Sequence, residues 1–316
     1  MMQLIKMLRD IKVFRSIITG GEPFIRKDIL MILEELCKFQ NVAVNTNAML
    51  ITREIASRLS DISVGDIGVA LDGADAKTHE ASRGKGSFNR TLRGIDFLLQ
   101  QGLSVRVQAT ITKLNFRQIP QLVEFADKLG VRAIGLNHLS YLGRATSAYI
   151  SLVLSPEENR FVGRVFNQLR QERGHFVSGT YGAFARLEDA QKTNPSDGVG
   201  RLLPCGAAKE ACAISPDGSV IPCNKLPTFR CGNIRESHLL DIWQKSEVMN
   251  SFRRLMDVSL NQVEGCRLCR FKSVCRGGCR ADAYLVSGSL TACDPLCWHI
   301  CDQHVFNKEQ TLYGHN

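Results

Sequence analysis

The run CRLCRFKSVCRGGC, residues 266–279, places four cysteines at spacings of two, five and three residues. Its first two, Cys266 and Cys269, form a C-x2-C pair that puts two thiolates on one tight turn, as a single metal centre requires. A [4Fe–4S] cluster and an all-cysteine zinc site each take four thiolates. A zinc ribbon uses two C-x2-C pairs and this chain has one, so the spacing favours iron–sulfur over zinc.

The other cysteines are concentrated around this run. Of the 12 cysteines in the chain, only Cys37 lies outside the segment between Cys205 and Cys301. Cys37 falls on the apolar side of a predicted helix, where core packing is the simpler interpretation. The C-terminal segment therefore has a chemistry of its own, and its further thiols are Cys212, Cys223, Cys231, Cys293 and Cys297.

The composition is that of an ordinary globular protein, with 316 residues of which 44% are hydrophobic and 22% charged. The sequence contains no apolar stretch of about 18 residues, and its first residues are amphipathic rather than signal-like. We therefore predict a cytoplasmic protein without membrane contact, in a reducing compartment where clustered cysteines bind metal. The net charge of +9 is spread without a run of five basic residues, so nucleic acid is not a predicted partner.

The N-terminal part alternates strand and helix patterns at about 30 residues per unit, which predicts a parallel sheet with helices outside, either a barrel or a doubly wound sheet. We place a barrel domain at 1–180, a linker at 181–204 and a cysteine-rich domain at 205–316. In the last domain, Pro216-Asp217-Gly218 predicts a hairpin turn and residues 239–255 predict one amphipathic helix. The predicted strands are 13–19, 42–46, 67–71, 105–112 and 133–136.

Short motifs frame the cysteines and match a known domain. They are Gly218-x4-Cys223, Gly232-Asn233-Ile234, Asp241-Ile242-Trp243, Arg276-Gly277-Gly278-Cys279 and Asp294-Pro295-Leu296-Cys297. Together with the run at 266–279, they resemble the SPASM domain of radical S-adenosylmethionine (SAM) enzymes. The resemblance is strongest to the enzymes that modify the peptide precursors of pyrroloquinoline quinone and mycofactocin.

This resemblance implies two auxiliary [4Fe–4S] clusters whose ligands cross between the cysteine groups. The first cluster would take Cys205, Cys212, Cys223 and Cys279. The second would take Cys266, Cys269, Cys275 and Cys297, with Cys293 as the alternative to Cys297. Cys231 and Cys301 match no family ligand and are interpreted as spare thiols.

The turn Thr19-Gly20-Gly21-Glu22-Pro23 follows the first predicted strand and resembles the GGEP motif, which binds the amino group of SAM in this family. The physical chemistry agrees, because glycines let the backbone approach a ligand and a glutamate offers a carboxylate to an ammonium. Asn45-Thr46-Asn47 and Leu71-Asp72-Gly73 end the next two strands and resemble segments that line the cofactor pocket. The SAM-binding residues that the resemblance implies are Gly20, Gly21, Glu22, Pro23, Asn45, Asn47 and Asp72.

One family feature is not found in this sequence. Radical SAM enzymes hold their catalytic cluster with a C-x3-C-x2-C loop after the first strand, whereas the first cysteine here is Cys37. We therefore expect a truncated start, and an α/β fold that is a partial (β/α)6 TIM-like barrel lacking its first strand, followed by a small SPASM domain. As given, the chain is expected not to cleave SAM, and a third, catalytic cluster is expected only where that loop is present. A descendant without radical chemistry is the alternative.

The resemblance implies an oxidoreductase in which a SAM-derived 5′-deoxyadenosyl radical abstracts hydrogen from a ribosomally made peptide. An electron donor such as flavodoxin or ferredoxin would be a partner. Radical SAM chemistry in haem or tetrapyrrole biosynthesis is one alternative, because related enzymes there carry similar cysteine tails. A non-catalytic binding module that carries clusters or zinc is the other.

Overall fold

A computed structural model of the chain describes residues 1–181, 201–202, 206–263 and 265–297, except the side chains of residues 144 and 145. The chain divides into two compact units. The first unit comprises Met1–Leu139 with Val165–Gly182. The second comprises Ser140–Arg164 with the described part of Ala183–Asn316.

The first unit contains a six-stranded sheet whose strands are parallel and follow one another in chain order. This order, with helices between successive strands, is that of a partial (β/α) barrel and confirms the predicted fold class. The strands are β1 Arg15–Ile18, β2 Asn41–Thr46, β3 Asp66–Ala70, β4 Val105–Ile111, β5 Ala133–His138 and β6 Val177–Ser178.

Six helices precede or connect the first five of these strands, and the face of the sheet that helices cover is apolar. That face carries apolar residues at every second position, such as Val44, Val69 and Val107, which are fully buried. Alternation with a period of two is what a sheet covered on one face by helices requires. The helices are α1 Met2–Asp10, α2 Ile29–Cys37, α3 Arg53–Asp61, α4 Ala76–Arg83, α5 Ser87–Gln100 and α6 Ile119–Lys128.

Helix α4 and strand β6 were not predicted from the sequence pattern. Helix α4 reads AKTHEASR, a polar segment with only His79 buried, so it lacks the apolar periodicity by which a helix is recognised. Its stability comes instead from its cap, because Asp75 Oδ1 accepts a hydrogen bond from Thr78 N at 2.8 Å. Strand β6 has two residues, too few for any alternation to be visible.

The second unit contains a small antiparallel sheet in the order β7-β8-β9. The predicted turn Pro216-Asp217-Gly218 joins β7 to β8, which confirms the hairpin. The strands are β7 Ala213–Ile214, β8 Ser219–Ile221 and β9 Gly232–Asn233. The helices are α7 Tyr149–Leu152, α9 Leu239–Lys245, α10 Glu247–Arg254, α11 Lys272–Cys275 and α12 Arg280–Ser287, and α8 spans Pro156–Arg173 between α7 and β7.

The prediction of one continuous helix over 239–255 is wrong. Ser246 has an extended backbone, with φ −65° and ψ 122°, and it separates α9 from α10. Its hydroxyl accepts a hydrogen bond from Met249 N at 3.4 Å and so caps the second helix. The apolar periodicity continues through the break because both short helices bury residues, which is why the sequence pattern did not reveal it.

The two units differ from the proposed domain boundaries in one segment. Ser140–Arg164, placed in the barrel domain from the sequence, belongs to the second unit. The proposed linker at 181–204 lies mostly outside the described residues. No helix in the described part of the chain is long and apolar enough to cross a membrane.

Gly94 provides a test of how α5 is packed. A methyl group at Gly94 would collide with the carbonyl oxygen and the Cβ of Ala48, at the end of β2. We predict that Gly94→Ala lowers the free energy of unfolding by about 1–3 kcal/mol in urea denaturation, because the helix must move away. Asn89→Ala, an exposed site on the same helix, should stay within about 0.5 kcal/mol of the native chain. Equal stability of both variants would contradict this packing.

Candidate SAM site and thiol clusters

The face of the sheet opposite the helices is polar in the first unit. Asn45, Gln108 and Asn137 project from β2, β4 and β5, and Asn137 Nδ2 donates to Gln108 Oε1 at 2.8 Å. Between them lie two glycines, Gly68 and Gly135. A Cβ at Gly68 would collide with Asn45 Oδ1, and a Cβ at Gly135 would lie 2.5 Å from Gln108 Oε1. The amides therefore need the glycines beside them, and we call these five residues the amide face.

Glu22 lies at the carboxyl ends of β1 and β2, and its carboxylate joins the two. Its Oε1 accepts from Thr46 Oγ1 at 2.7 Å and from Phe24 N at 3.2 Å, and its Oε2 accepts from Asn47 N at 2.7 Å. The preceding Gly20 has φ +153°, a conformation that side chains other than hydrogen rarely permit. A methyl group there would meet nothing within 4 Å, so the turn is open on that side. The structure thus brings together the GGEP turn and Asn47, and their role in SAM binding stays a prediction.

Asp72 is held in a buried network at the carboxyl end of β3. Its side chain is almost fully buried and forms an ion pair with Arg83, Nε to Oδ2 at 2.5 Å. Oδ2 also accepts from Ser82 Oγ at 3.0 Å, and Oδ1 from Thr110 N at 2.8 Å. Both oxygens are therefore engaged within the protein. Its role in SAM binding stays a prediction, and the structure gives Asp72 the additional role of tying α4 to β3 and β4.

Asn115, which matches a weaker signature of the family and was not among the predicted SAM-binding residues, completes this network. Its Nδ2 donates to the carbonyl oxygens of Asp72 and Thr110, both at 2.8 Å, and its Oδ1 accepts from Thr112 N at 2.8 Å. One amide thus satisfies three backbone groups at the ends of β3 and β4. The sequence gave a weak signal here, an asparagine just after a strand, where Asx side chains often bind nearby backbone.

The thiols proposed for the second cluster lie close together in the second unit. Burial raises the pKa of Cys275 to about 12, and the next cause is the neighbouring Cys297. Burial likewise raises the pKa of Cys269, with Cys297 and Cys266 as further contributors. The pKa of Cys266 is lowered, chiefly by a side-chain hydrogen bond with Cys293. Cys266, Cys269, Cys275 and Cys297 are therefore neighbours, and Cys293 lies beside Cys266.

Of the described thiols proposed for the first cluster, Cys223 and Cys279 lie near Lys225, whereas Cys212 is not shown beside them. The pKa of Lys225 is raised, because the lowering effect of burial is outweighed by Asp282, Cys279 and Cys223. The thiols of Cys279 and Cys223 therefore lie near the Lys225 ammonium. Burial raises the pKa of Cys212 to about 11, and the next cause is Cys231. Cys231, interpreted as a spare thiol, thus adjoins a predicted ligand. The proposed ligand Cys205 and the spare thiol Cys301 are outside the described residues.

The donor chemistry of these groups suits iron–sulfur clusters. Backbone N–H groups point at the sulfurs, from Lys225 to Cys223 Sγ at 3.5 Å, from Asp282 to Cys279 Sγ at 3.5 Å and from Phe271 to Cys269 Sγ at 3.4 Å. Such bonds favour a thiolate, the form that binds iron. Within the described ranges, no three His, Cys, Asp or Glu side chains converge closely enough to hold a single metal ion.

His79 is a buried titratable side chain of the barrel unit. Its Nδ1 accepts from Asp72 N at 3.2 Å, while its buried Nε2 has no hydrogen-bond partner. Burial lowers the pKa of His79, and Arg83 adds to this while Asp72 and Glu80 oppose it. In the unfolded chain the histidine titrates near 6.5.

We therefore expect the free energy of unfolding to fall as the pH drops below about 6.5, because only the unfolded chain then binds the proton. His79→Asn, which can still accept from Asp72 N, should flatten the slope between pH 7 and 5 in urea titrations. His175→Asn, at an exposed site, should leave the slope unchanged. An unaltered slope in His79→Asn would refute the assignment.

Comparisons with known proteins agree with this geometry. The model of the radical SAM superfamily matches residues 1–129, and that of the SPASM iron–sulfur cluster-binding domain matches residues 205–270. The chain is 31% identical to an AdoMet-dependent heme synthase of Methanosarcina barkeri (strain Fusaro / DSM 804), over 89% of this chain and 81% of that protein. It is 27% identical to the mycofactocin maturase of Mycolicibacterium smegmatis, over 93% of this chain and 73% of the relative.

Among solved structures, native anSMEcpe with bound AdoMet matches with a TM-score of 0.70 at 19% identity, covering 93% of this chain and 83% of the other. At this identity the match shows the fold, which the six-stranded sheet already indicates. The level of identity to the heme synthase decides the family. The chain belongs to the radical SAM enzymes with a C-terminal SPASM domain.

Proposed function

We propose that this protein is a radical SAM oxidoreductase whose substrate is a tetrapyrrole. The observation that carries the substrate class is the 31% identity to an AdoMet-dependent heme synthase, which extends over 89% of this chain. The sequence alone favoured a peptide. The maturase relatives are less similar to this chain, at 27% identity, so the higher identity to the heme synthase is what favours a tetrapyrrole.

The carboxyl ends of β1 and β2 are the proposed SAM site. Glu22 would receive the amino group of SAM, because its carboxylate is already fixed by Thr46 and Asn47 and needs no rearrangement to bind a cation. The amide face would orient polar groups of SAM or substrate, since amides offer both donors and acceptors. Where a catalytic cluster supplies one electron, bound SAM would provide the radical that abstracts hydrogen from a substrate, and the residues of this site would hold and orient SAM.

The ligand sets of the two auxiliary clusters remain as the resemblance implies. For the second cluster, the grouping of Cys266, Cys269, Cys275 and Cys297 supports the proposal, and the hydrogen bond between Cys266 and Cys293 keeps Cys293 as its alternative. For the first cluster, the approach of Cys223 and Cys279 to Lys225 supports it. We place the protein in the cytoplasm, with flavodoxin or ferredoxin as electron donor.

A peptide is the second candidate substrate. The mycofactocin maturase is 27% identical over 93% of this chain, which is a wider coverage than that of the heme synthase. A polar sheet face with neighbouring amides can also bind an extended peptide, whose backbone needs donors and acceptors in alternation.

Glu22→Gln tests the SAM site. We expect the variant to bind SAM about tenfold more weakly in equilibrium dialysis, because a charge-assisted hydrogen bond of about 1.5 kcal/mol or more is lost. Binding rather than cleavage is measured, because this sequence holds no C-x3-C-x2-C run and we propose that the chain as given does not cleave SAM. Glu34→Gln, an exposed carboxylate on α2, is the matched control. Unchanged affinity in a folded Glu22→Gln variant would exclude this role.

The substrate class is tested by titrating the anaerobic protein with iron coproporphyrin III and following the Soret band. We expect saturation at one tetrapyrrole per chain, while a labelled mycofactocin precursor peptide shows no change in fluorescence anisotropy. Gln108→Glu, which adds a negative charge to the amide face, should weaken binding of the tetrapyrrole carboxylates, whereas the exposed Gln101→Glu should not. Peptide binding without tetrapyrrole binding would overturn the proposal in favour of the second candidate.

A further inference from the structure

A largely buried ion pair, Lys225–Asp282, lies close to the thiols of Cys223 and Cys279. Lys225 Nζ is 2.9 Å from Asp282 Oδ2, and their side chains are only 24% and 2% exposed. Most ion pairs in this unit are different in kind. Lys245 and Asp241, for example, pair on the surface of α9 with 75% and 52% exposure. The Lys225–Asp282 pair is therefore screened far less by water than its neighbours.

Each partner of this pair follows a thiol closely along the chain. Lys225 N donates to Cys223 Sγ at 3.5 Å, two residues away, on the segment that leaves β8. Asp282 N donates to Cys279 Sγ at 3.5 Å, where Cys279 is the N-cap of α12. The ion pair thus joins the two thiol-bearing segments. It also places a positive charge near both sulfurs and a negative charge near Cys279 Sγ.

A contribution to folding stability does not by itself explain such an ion pair. Removing two charges from water costs several kcal/mol per ion, and a well-packed apolar pair at the same place is often as stable. A charge beside a redox centre has a direct effect, however. In a poorly screened site it shifts the energy of the form that carries one more electron.

We propose that Lys225 and Asp282 set the reduction potential of the iron–sulfur cluster held at Cys223 and Cys279. The proposal rests on the proposed function, which assigns these cysteines as cluster ligands. The cluster takes up one electron from an external reductant, and no bond to either residue forms or breaks. The ammonium of Lys225 stabilises the reduced, more negative cluster, and the carboxylate of Asp282 destabilises it. Both are positioning residues, since they act on the cluster through its ligands and its field.

The test is a redox titration of the reconstituted chain, followed by the electron paramagnetic resonance signal of the reduced clusters. Lys225→Met should lower the midpoint potential of one cluster enough to change the ratio of reduced to oxidised form tenfold or more. For a one-electron couple, a tenfold change corresponds to about 59 mV. Asp282→Asn should shift the same cluster in the opposite direction. The potential of the other cluster should not move by a comparable amount.

Two controls make the outcome decisive. Lys245→Met removes a lysine from an exposed pair of the same unit and should leave both potentials unchanged. Asp282→Asn keeps a side-chain oxygen that can accept from Lys225, the more exposed partner of the pair, so it decides the question even if Lys225→Met does not fold. Native potentials in a fully loaded Asp282→Asn chain would overturn the inference.

Failure of the proposed function would be visible separately. If Cys223→Ala keeps the iron content of the native chain, no cluster is bound at this place and the ligand assignment is wrong. If Cys223→Ala loses about four iron atoms but Asp282→Asn leaves the potentials unshifted, the ligand assignment stands and only the tuning role is refuted.

Discussion

Carboxylate side chains at the carboxyl ends of the strands link neighbouring strands of the partial barrel. Parallel strands end side by side there, and their last backbone groups lack the partners that a longer sheet would provide. Glu22 accepts from Thr46 and from the backbone of Asn47, and so ties β1 to β2. Asp72 accepts from Thr110 N and pairs with Arg83, and so ties β3 to β4 and α4. The proposed cofactor site is built on these contacts.

The two carboxylates perform this task in different surroundings. Asp72 is buried and both of its oxygens are engaged within the protein, so it acts as an anchor for the pocket wall. Glu22 follows a glycine turn that is open on one side, so it can meet a ligand while its neighbours keep it in place. A preorganised carboxylate of this kind binds a cation at a lower entropic cost than a mobile one. Both carboxylates thus stabilise the strand ends, and Glu22 is the one that we propose to bind SAM.

The regular parts of the fold could be predicted from the sequence, because hydrophobic alternation and apolar helix faces are local signals. The strands near 42–46 and 105–112 and the hairpin at Pro216-Asp217-Gly218 are examples. The polar helix α4 and the break at Ser246 could not, because each depends on a cap rather than on periodicity. The Asp72 network was also hidden, since Thr110 lies 38 residues away along the chain.

At the candidate site, the residue types could be predicted from the sequence, whereas the contacts between them are visible only in the structure. The GGEP turn and the cysteine run are recognisable by pattern, whereas the amide face is not. Its glycines, Gly68 and Gly135, matter only because amides from adjacent strands occupy the space beside them. The proximity of Cys231 to Cys212 and of Cys293 to Cys266 is likewise a product of folding. Substrate choice depends on surfaces that no short motif encodes.

The central claim is that the thiols of the second unit hold two four-iron clusters. Mössbauer spectroscopy of the chain purified without oxygen from cells grown on 57Fe tests this most directly. The account predicts about eight iron atoms per chain, all in [4Fe–4S] clusters, and no bound zinc. Zinc in place of iron, or a single cluster of about four irons, would contradict it.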